Sequence, residues 1–390
     1  MKCKKGLSPL VFIGLSYFLL AVLPSSAQMR LSFPAQDPLL DSIISGDGLL
    51  RDSSIKKVQI IYTEINRMDN GMPSFTDHFS NISGRDYFSS NMVHLPLAVS
   101  VLKKMQSIRD SGVDLNTTMI TEADFGEQMP AYNDPRWPEG RPAVGRYLRN
   151  MLLLRDKSSF NRLYELVGQE MAAEALIKNG YAISYTKRLI NEDEINARHT
   201  NPVNFYNNNR KIIARLPSQY NNKPYPKLNN DSDTNMVNSL NLESLHRFLT
   251  AIIFPETTLP EKCIGLAPND RKLLLQYMSQ RADETIYPLY DTLESGITFF
   301  EAFFPEDSVI RVFATGGVQG SQVIESAYII DPEYKIEFLL TIAVESKSEE
   351  VVKKAIAGMG KYAADIYYYE TGRKRKAFPN LSPFLISYDK

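Results

Sequence analysis

Apolar residues recur along the chain with two different periods, and each change of period marks an element. Leu39, Leu40, Ile43 and Ile44 have helical spacing over 38–50. Val58, Ile60 and Tyr62 alternate as in a strand over 58–65, and 75–79 supplies a hairpin partner. The spacing then predicts a long helix from Asn91 through Leu95, Leu97, Val101, Leu102 and Met105, with Ser89 or Ser90 as its N-cap. Pro96 should kink this helix unless it falls in the first turn, where a missing amide is tolerated. More helices are expected after Arg141 and over 159–167, 169–178, 242–252 and 270–278.

The last eighty residues return to strands. A short strand over 309–313 leads to Gly316, Gly317 and Gly320, which read as a turn. Strands over 324–330 and 336–344 follow, joined at Asp331-Pro332-Glu333. An amphipathic helix over 346–369 closes the pattern, with Val351, Val352, Ala355, Ile356, Met359, Tyr362 and Ile366 on one stripe. Strands early, helices in the middle, and strands plus a helix at the end imply an α/β (α+β) fold. Its antiparallel sheet is built by both chain ends (36–90 and 285–390), and 91–284 forms an inserted helical subdomain. Within that insert, 191–238 is rich in Asn and Pro. A structureless stretch of that length is unusual in a compact domain, so short strands or helices are expected to lie there over one face.

Composition narrows the setting. Lys2, Lys4 and Lys5 precede an apolar run over 7–23, and Ser25 and Ala27 place small residues before Gln28, the pattern of a cleaved signal peptide over 1–27. The run is slightly short for a membrane span, and no second such run follows, so no stable span is expected after processing. Export to a bacterial periplasm or cell surface is the expected destination. Cleavage would remove three of the 44 basic residues and none of the 45 acidic ones, giving a net charge of −4. No basic excess is left to neutralise phosphates, so nucleic acid is not an expected partner. Cys263 would be the only remaining cysteine, which predicts a chain without an intrachain disulfide. His78, His94, His199 and His246 are the only histidines and show no ligand spacing, so no metal or cofactor is expected.

Three segments carry candidate chemistry. The first is Ser89-Ser90-Asn91-Met92-Val93-His94-Leu95-Pro96-Leu97-Ala98, the second Leu154-Arg155-Asp156-Lys157-Ser158-Ser159-Phe160-Asn161, and the third Val312-Phe313-Ala314-Thr315-Gly316-Gly317. In this order they resemble the penicillin-recognising serine hydrolases, notably class A beta-lactamases and beta-lactamase-like relatives of Bacteroidetes-type bacteria. The motifs of that family are Ser-x-x-Lys, Ser-Asp-Asn and Lys-Thr-Gly. The resemblance covers most of 40–370 and implies the beta-lactamase/transpeptidase-like fold. It puts Asn91 at the nucleophile position and His94 at the lysine position. Arg155 and Lys157 stand at the serine and asparagine positions around a retained Asp156, with Asn161 also retained. Ala314 stands at the lysine position before a retained Thr315 and Gly316.

On that register the nucleophile, base, relay serine and substrate-binding lysine are all replaced, and Asn91 cannot form an acyl-enzyme. The resemblance also implies that the backbone amides of Asn91 and Gly317 could form an oxyanion nest that binds a carbonyl or carboxylate without turnover. Glu192 and Glu194 fall roughly where the family keeps a deacylating glutamate, although Asn191-Glu192-Asp193-Glu194 also reads as an acidic surface run. The expected function is therefore that of a non-catalytic homologue binding a small molecule, cell-wall fragment, glycan or peptide in a residual cleft. The alternative is a rearranged hydrolase, in which Ser90 pairs with His94 or Lys157 to cleave an ester, amide or peptide.

Overall fold

The 13-residue strand Ile55–Arg67 is buried on both faces through its middle, so apolar layers must cover both sides of its sheet. The computed structural model describes residues 37–44, 49, 51–83, 87–89, 93–124, 129–133, 140–181, 189, 194–222, 238–281, 284, 300, 303–305 and 308–386. The first elements are α1 (Pro38–Ile44), β1 (Ile55–Arg67), β2 (Pro73–Ser80), β3 (Tyr87–Ser89), α2 (His94–Ile108), β4 (Thr118–Thr121) and α3 (Val144–Leu154). Next come α4 (Lys157–Lys178), α5 (Glu194–Ala197), β5 (Val203–Tyr206), β6 (Ile212–Leu216), β7 (Ser239–Asn241), α6 (Leu242–Ile253) and α7 (Pro268–Ser279). The chain closes with β8 (Arg311–Gln319), β9 (Gln322–Asp331), β10 (Ile336–Ser346) and α8 (Val352–Gly372).

The main sheet has the order β2-β1-β10-β9-β8, and every neighbouring pair is antiparallel. The β1–β10 pairing joins the early hairpin to the late meander. Alternation along each strand sorts side chains to two cores. Ile60, Tyr62, Phe338, Leu340 and Ile342 pack with α1 and α8, whereas Ile61, Ile65, Leu339, Ala343 and Tyr328 pack with the helical half. The fold is thus α/β, with a central antiparallel sheet flanked by helices. No helix among the described residues is long and apolar enough to cross a membrane.

Several local expectations change. Ser89 is paired with Ser239 in the small β3–β7 ladder, so it does not cap the helix. The helix starts at His94, after Val93, with no side-chain cap. Pro96 therefore lies in the first turn, where no kink is required. By contrast, the two helices expected over 159–167 and 169–178 are present, separated at Gly168, whose φ of 75° and ψ of 164° are not helical. As expected, part of the Asn-rich region 191–238 is short helix and strand: α5, and the β5–β6 hairpin, which pairs with β4 in a three-stranded sheet.

Gly316 and Gly317 sit inside β8 rather than in a turn, and only Gly320, at φ 55°, makes the reversal. At the next reversal Asp331 Oδ1 accepts from the amides of Glu333 and Tyr334 at 2.8 and 3.0 Å. Strand β10 continues to Ser346, and α8 begins at Val352 after a 3-10 turn over Glu349–Val351. The proposed signal segment lies outside the described residues.

Candidate functional site

The face of the sheet that meets the helical half carries a row of small hydroxyls among its apolar side chains. Thr315 on β8 lies opposite Ser326 on β9, and Ser326 lies opposite Thr341 on β10. On the neighbouring strands Thr63 of β1 lies opposite Asp77 of β2. Helix α6 lays His246 over this row. Its first turn is fixed by Asn241, whose Oδ1 accepts from the Ser244 amide at 2.8 Å. Leu242, Leu245 and Leu249 bury the same side of the helix.

His246 Nε2 is 2.9 Å from Thr63 Oγ1 and its Nδ1 is 2.8 Å from Thr341 Oγ1. Thr63 donates to Asp77 Oδ1 at 2.6 Å, and Ser326 and Thr341 are 2.6 Å apart. Asp77 is acceptor-only when ionised, which gives every bond in the chain a direction. Thr63 gives its proton to Asp77 and so must accept from His246 Nε2–H. Nδ1 then accepts from Thr341, which accepts from Ser326. The network fixes a neutral His246. Burial and then the Arg247 charge lower its pKa to about 3, against the pull of Asp77. Thr315 Oγ1, at the end of the row, is buried without a hydrogen-bond partner.

The first two motif segments meet beside α2. His94 is fully buried, its ring 5.2 Å from that of Phe160. Neither ring nitrogen makes a hydrogen bond. Burial, reinforced by the Arg155 charge, lowers its pKa to about 3; Asp156 and the Met151 backbone oppose the shift without forming a bond of normal geometry. This imidazole is thus a very weak proton acceptor at neutral pH. It is not the hydrogen-bonded polar residue of an open cleft.

Arg155 ends α3 in the left-handed region at φ 53°, its amide donating to the Asn150 carbonyl. That turn starts α4, where Asp156 Oδ2 accepts from the Ser159 amide at 2.6 Å and the Asp156 carbonyl accepts from the Phe160 amide at 3.0 Å. Lys157, the first residue of α4, is exposed. Asn161 Oδ1 accepts from the Leu189 amide at 2.6 Å. One turn on, buried Glu165 receives the backbone and side-chain amides of Asn201.

In the third segment, Ala314 packs in the α1/α8 core while Phe313 packs in the opposite one. The Ala314 methyl therefore faces away from the side that Thr315 presents, and a longer side chain at 314 would start into an apolar layer. Gly317 is buried opposite Ile324. Ser90, Asn91 and Glu192 lie outside the described residues, as does the side chain of Glu194, whose backbone opens α5. The Asn91 half of the oxyanion nest is therefore not placed. No group of three or more His, Cys, Asp or Glu that could hold a metal ion occurs among the described residues.

Sequence reasoning missed the Asp77–Thr63–His246–Thr341–Ser326 chain. The available signal was a hydroxyl at one inward position of each of several strands.

No protein-family model matches the chain, and no curated protein matches it. Solved structures do. The TLA-1 extended-spectrum beta-lactamase superposes with a TM-score of 0.51 at 13% identity, covering 85% of this chain and 98% of that one. A beta-lactamase from Burkholderia vietnamiensis gives 0.52 at 12% identity, covering 86% and 98%. The TLA-3 extended-spectrum beta-lactamase gives 0.51 at 14%, again covering 86% and 98%. The protein therefore has a class A beta-lactamase-like, serine-hydrolase-like fold. At these identities the likeness concerns the fold alone.

Proposed function

We propose that this chain is an exported, non-catalytic relative of the bacterial serine hydrolases with this fold, and that its cleft binds a ligand without turning it over. The ligand class is a cell-wall fragment, glycan or peptide. The observation that carries the reading is His94. A base that must accept a nucleophile's proton near pH 7 needs a matching pKa and access to that nucleophile. His94 is fully buried, lacks a hydrogen-bond partner and holds its pKa near 3. Lys157, the other candidate activator, is solvent-exposed rather than desolvated beside it. Asp156 has a sufficient structural occupation at the start of α4.

The test is intact-mass spectrometry after exposure to a fluorophosphonate probe and, separately, to penicillin. The expected result is no covalent adduct with either reagent. A stoichiometric adduct mapped to Ser90 would overturn the proposal in favour of the rearranged hydrolase. The same measurement on protein recovered from a bacterial envelope reads the export proposal, since removal of 1–27 changes the mass.

A further inference from the structure

On the sheet face away from His246 and His94, a pocket of about 300 Å³ opens between α8, the β9–β10 turn and residues 303–305 and 308–310. That is the size of a small-ligand site. Its walls are aromatic: Phe303, Phe304, Tyr334, Tyr367 and Tyr368. Tyr334 and Tyr368 are 63% and 71% exposed, large apolar rings left open to solvent around a cavity. The walls are also held in place. The Tyr367 ring meets Phe304 edge-on at 5.5 Å, and its hydroxyl donates to Asp331 Oδ2 at 2.6 Å. Phe303 lies so close over Gly360 that a Cβ there would come within 1.6 Å of its ring.

Among the described residues, the charge of the lining has one sign. Asp331 and Glu333 contribute carboxylates, and no basic side chain among the described residues lines the pocket. The lysine of the same turn, Lys335, is directed elsewhere, its ammonium 4.7 Å from the centre of the Phe378 ring. Arg311 is engaged with Glu284. Ser308 Oγ, in the lining, is buried without a hydrogen-bond partner.

Aromatic faces carry negative potential, and adjoining carboxylates add to it, so the complementary ligand is a cation too weakly hydrated to prefer water. We propose that this pocket binds a small quaternary or N-methylated ammonium compound, its methyl groups against the tyrosine and phenylalanine rings and its charge facing Asp331 and Glu333. The site is independent of the cleft reading above.

The test is calorimetric titration of the full chain with choline and with 3,3-dimethylbutan-1-ol, its neutral isostere. Choline should bind roughly tenfold more tightly than the isostere. Tyr334→Ala and Tyr368→Ala, both at exposed positions, should each weaken choline by about tenfold with unfolding curves unchanged, and Glu333→Gln should weaken it by a smaller factor. Equal affinity for choline and the isostere overturns the proposal, because charge then plays no part. So does the absence of choline binding, or choline binding that survives both tyrosine substitutions.

Discussion

His94→Leu should make the protein more stable at pH 7 and His246→Leu should make it less stable, while both substitutions should flatten the loss of stability on acidification. The two imidazoles share one electrostatic fate, since each is fully buried with its pKa lowered from the ordinary 6.5 to about 3. The unfolded chain takes up a proton at each as pH falls below about 6.5, whereas the folded chain refuses it until about 3. The unfolded state thus binds more protons in that window. Stability is fully retained above pH 6.5 and falls below it, by about 1.4 kcal/mol per pH unit for each histidine.

Their surroundings differ at neutral pH. His94 brings two polar nitrogens into an apolar site without a hydrogen bond, so an apolar replacement should gain about 1–3 kcal/mol. His246 bridges Thr63 and Thr341, so removing it strips a buried hydroxyl row of its central partner and should cost about 2–4 kcal/mol. Urea unfolding of the three proteins at pH 7 and 4.5 reads all four effects. If His94→Leu destabilised as strongly as His246→Leu, or left the pH slope unaltered, the account of His94 would be wrong.

The same contrast explains how far the sequence could be read. Alternation through Val58, Ile60 and Tyr62 and the stripe on α8 reflect burial against one neighbouring layer, a local property that periodicity records. The His246 network was not legible in this way. Its members come from four strands and one helix, with Thr63 and His246 183 positions apart and His246 and Thr341 95 positions apart. Only the sheet order brings them together, and no spacing along the chain encodes it. Ala314 shows the complementary limit: an alignment can assign it a position, but only the pleat tells that its methyl faces the α8 core.

Gly316→Ala should be among the most destabilising single substitutions in the chain, costing about 3 kcal/mol or more. A Cβ at 316 would lie 2.2 Å from the Ile324 carbonyl oxygen and 2.7 Å from the Glu325 Cα. Both are backbone atoms of the paired strand, so no rotamer change relieves the contact. β8 must move off β9, and the ladder from Arg311 to Gln319 opens with it. Gly372→Ala is the control, since a Cβ there meets nothing within 4 Å. Thermal and urea unfolding should separate the two, and a Gly316→Ala protein within about 1 kcal/mol of the control would remove the close-approach argument. The argument bears on function as well as stability. In sequence, Thr315-Gly316 looks like a surviving piece of a catalytic motif. In the fold, the glycine is required by the approach of two backbones and the threonine continues a row of sheet hydroxyls. The glycine's presence follows from packing, so it lends no weight to surviving catalysis, and that question rests on His94 and the labelling of Ser90.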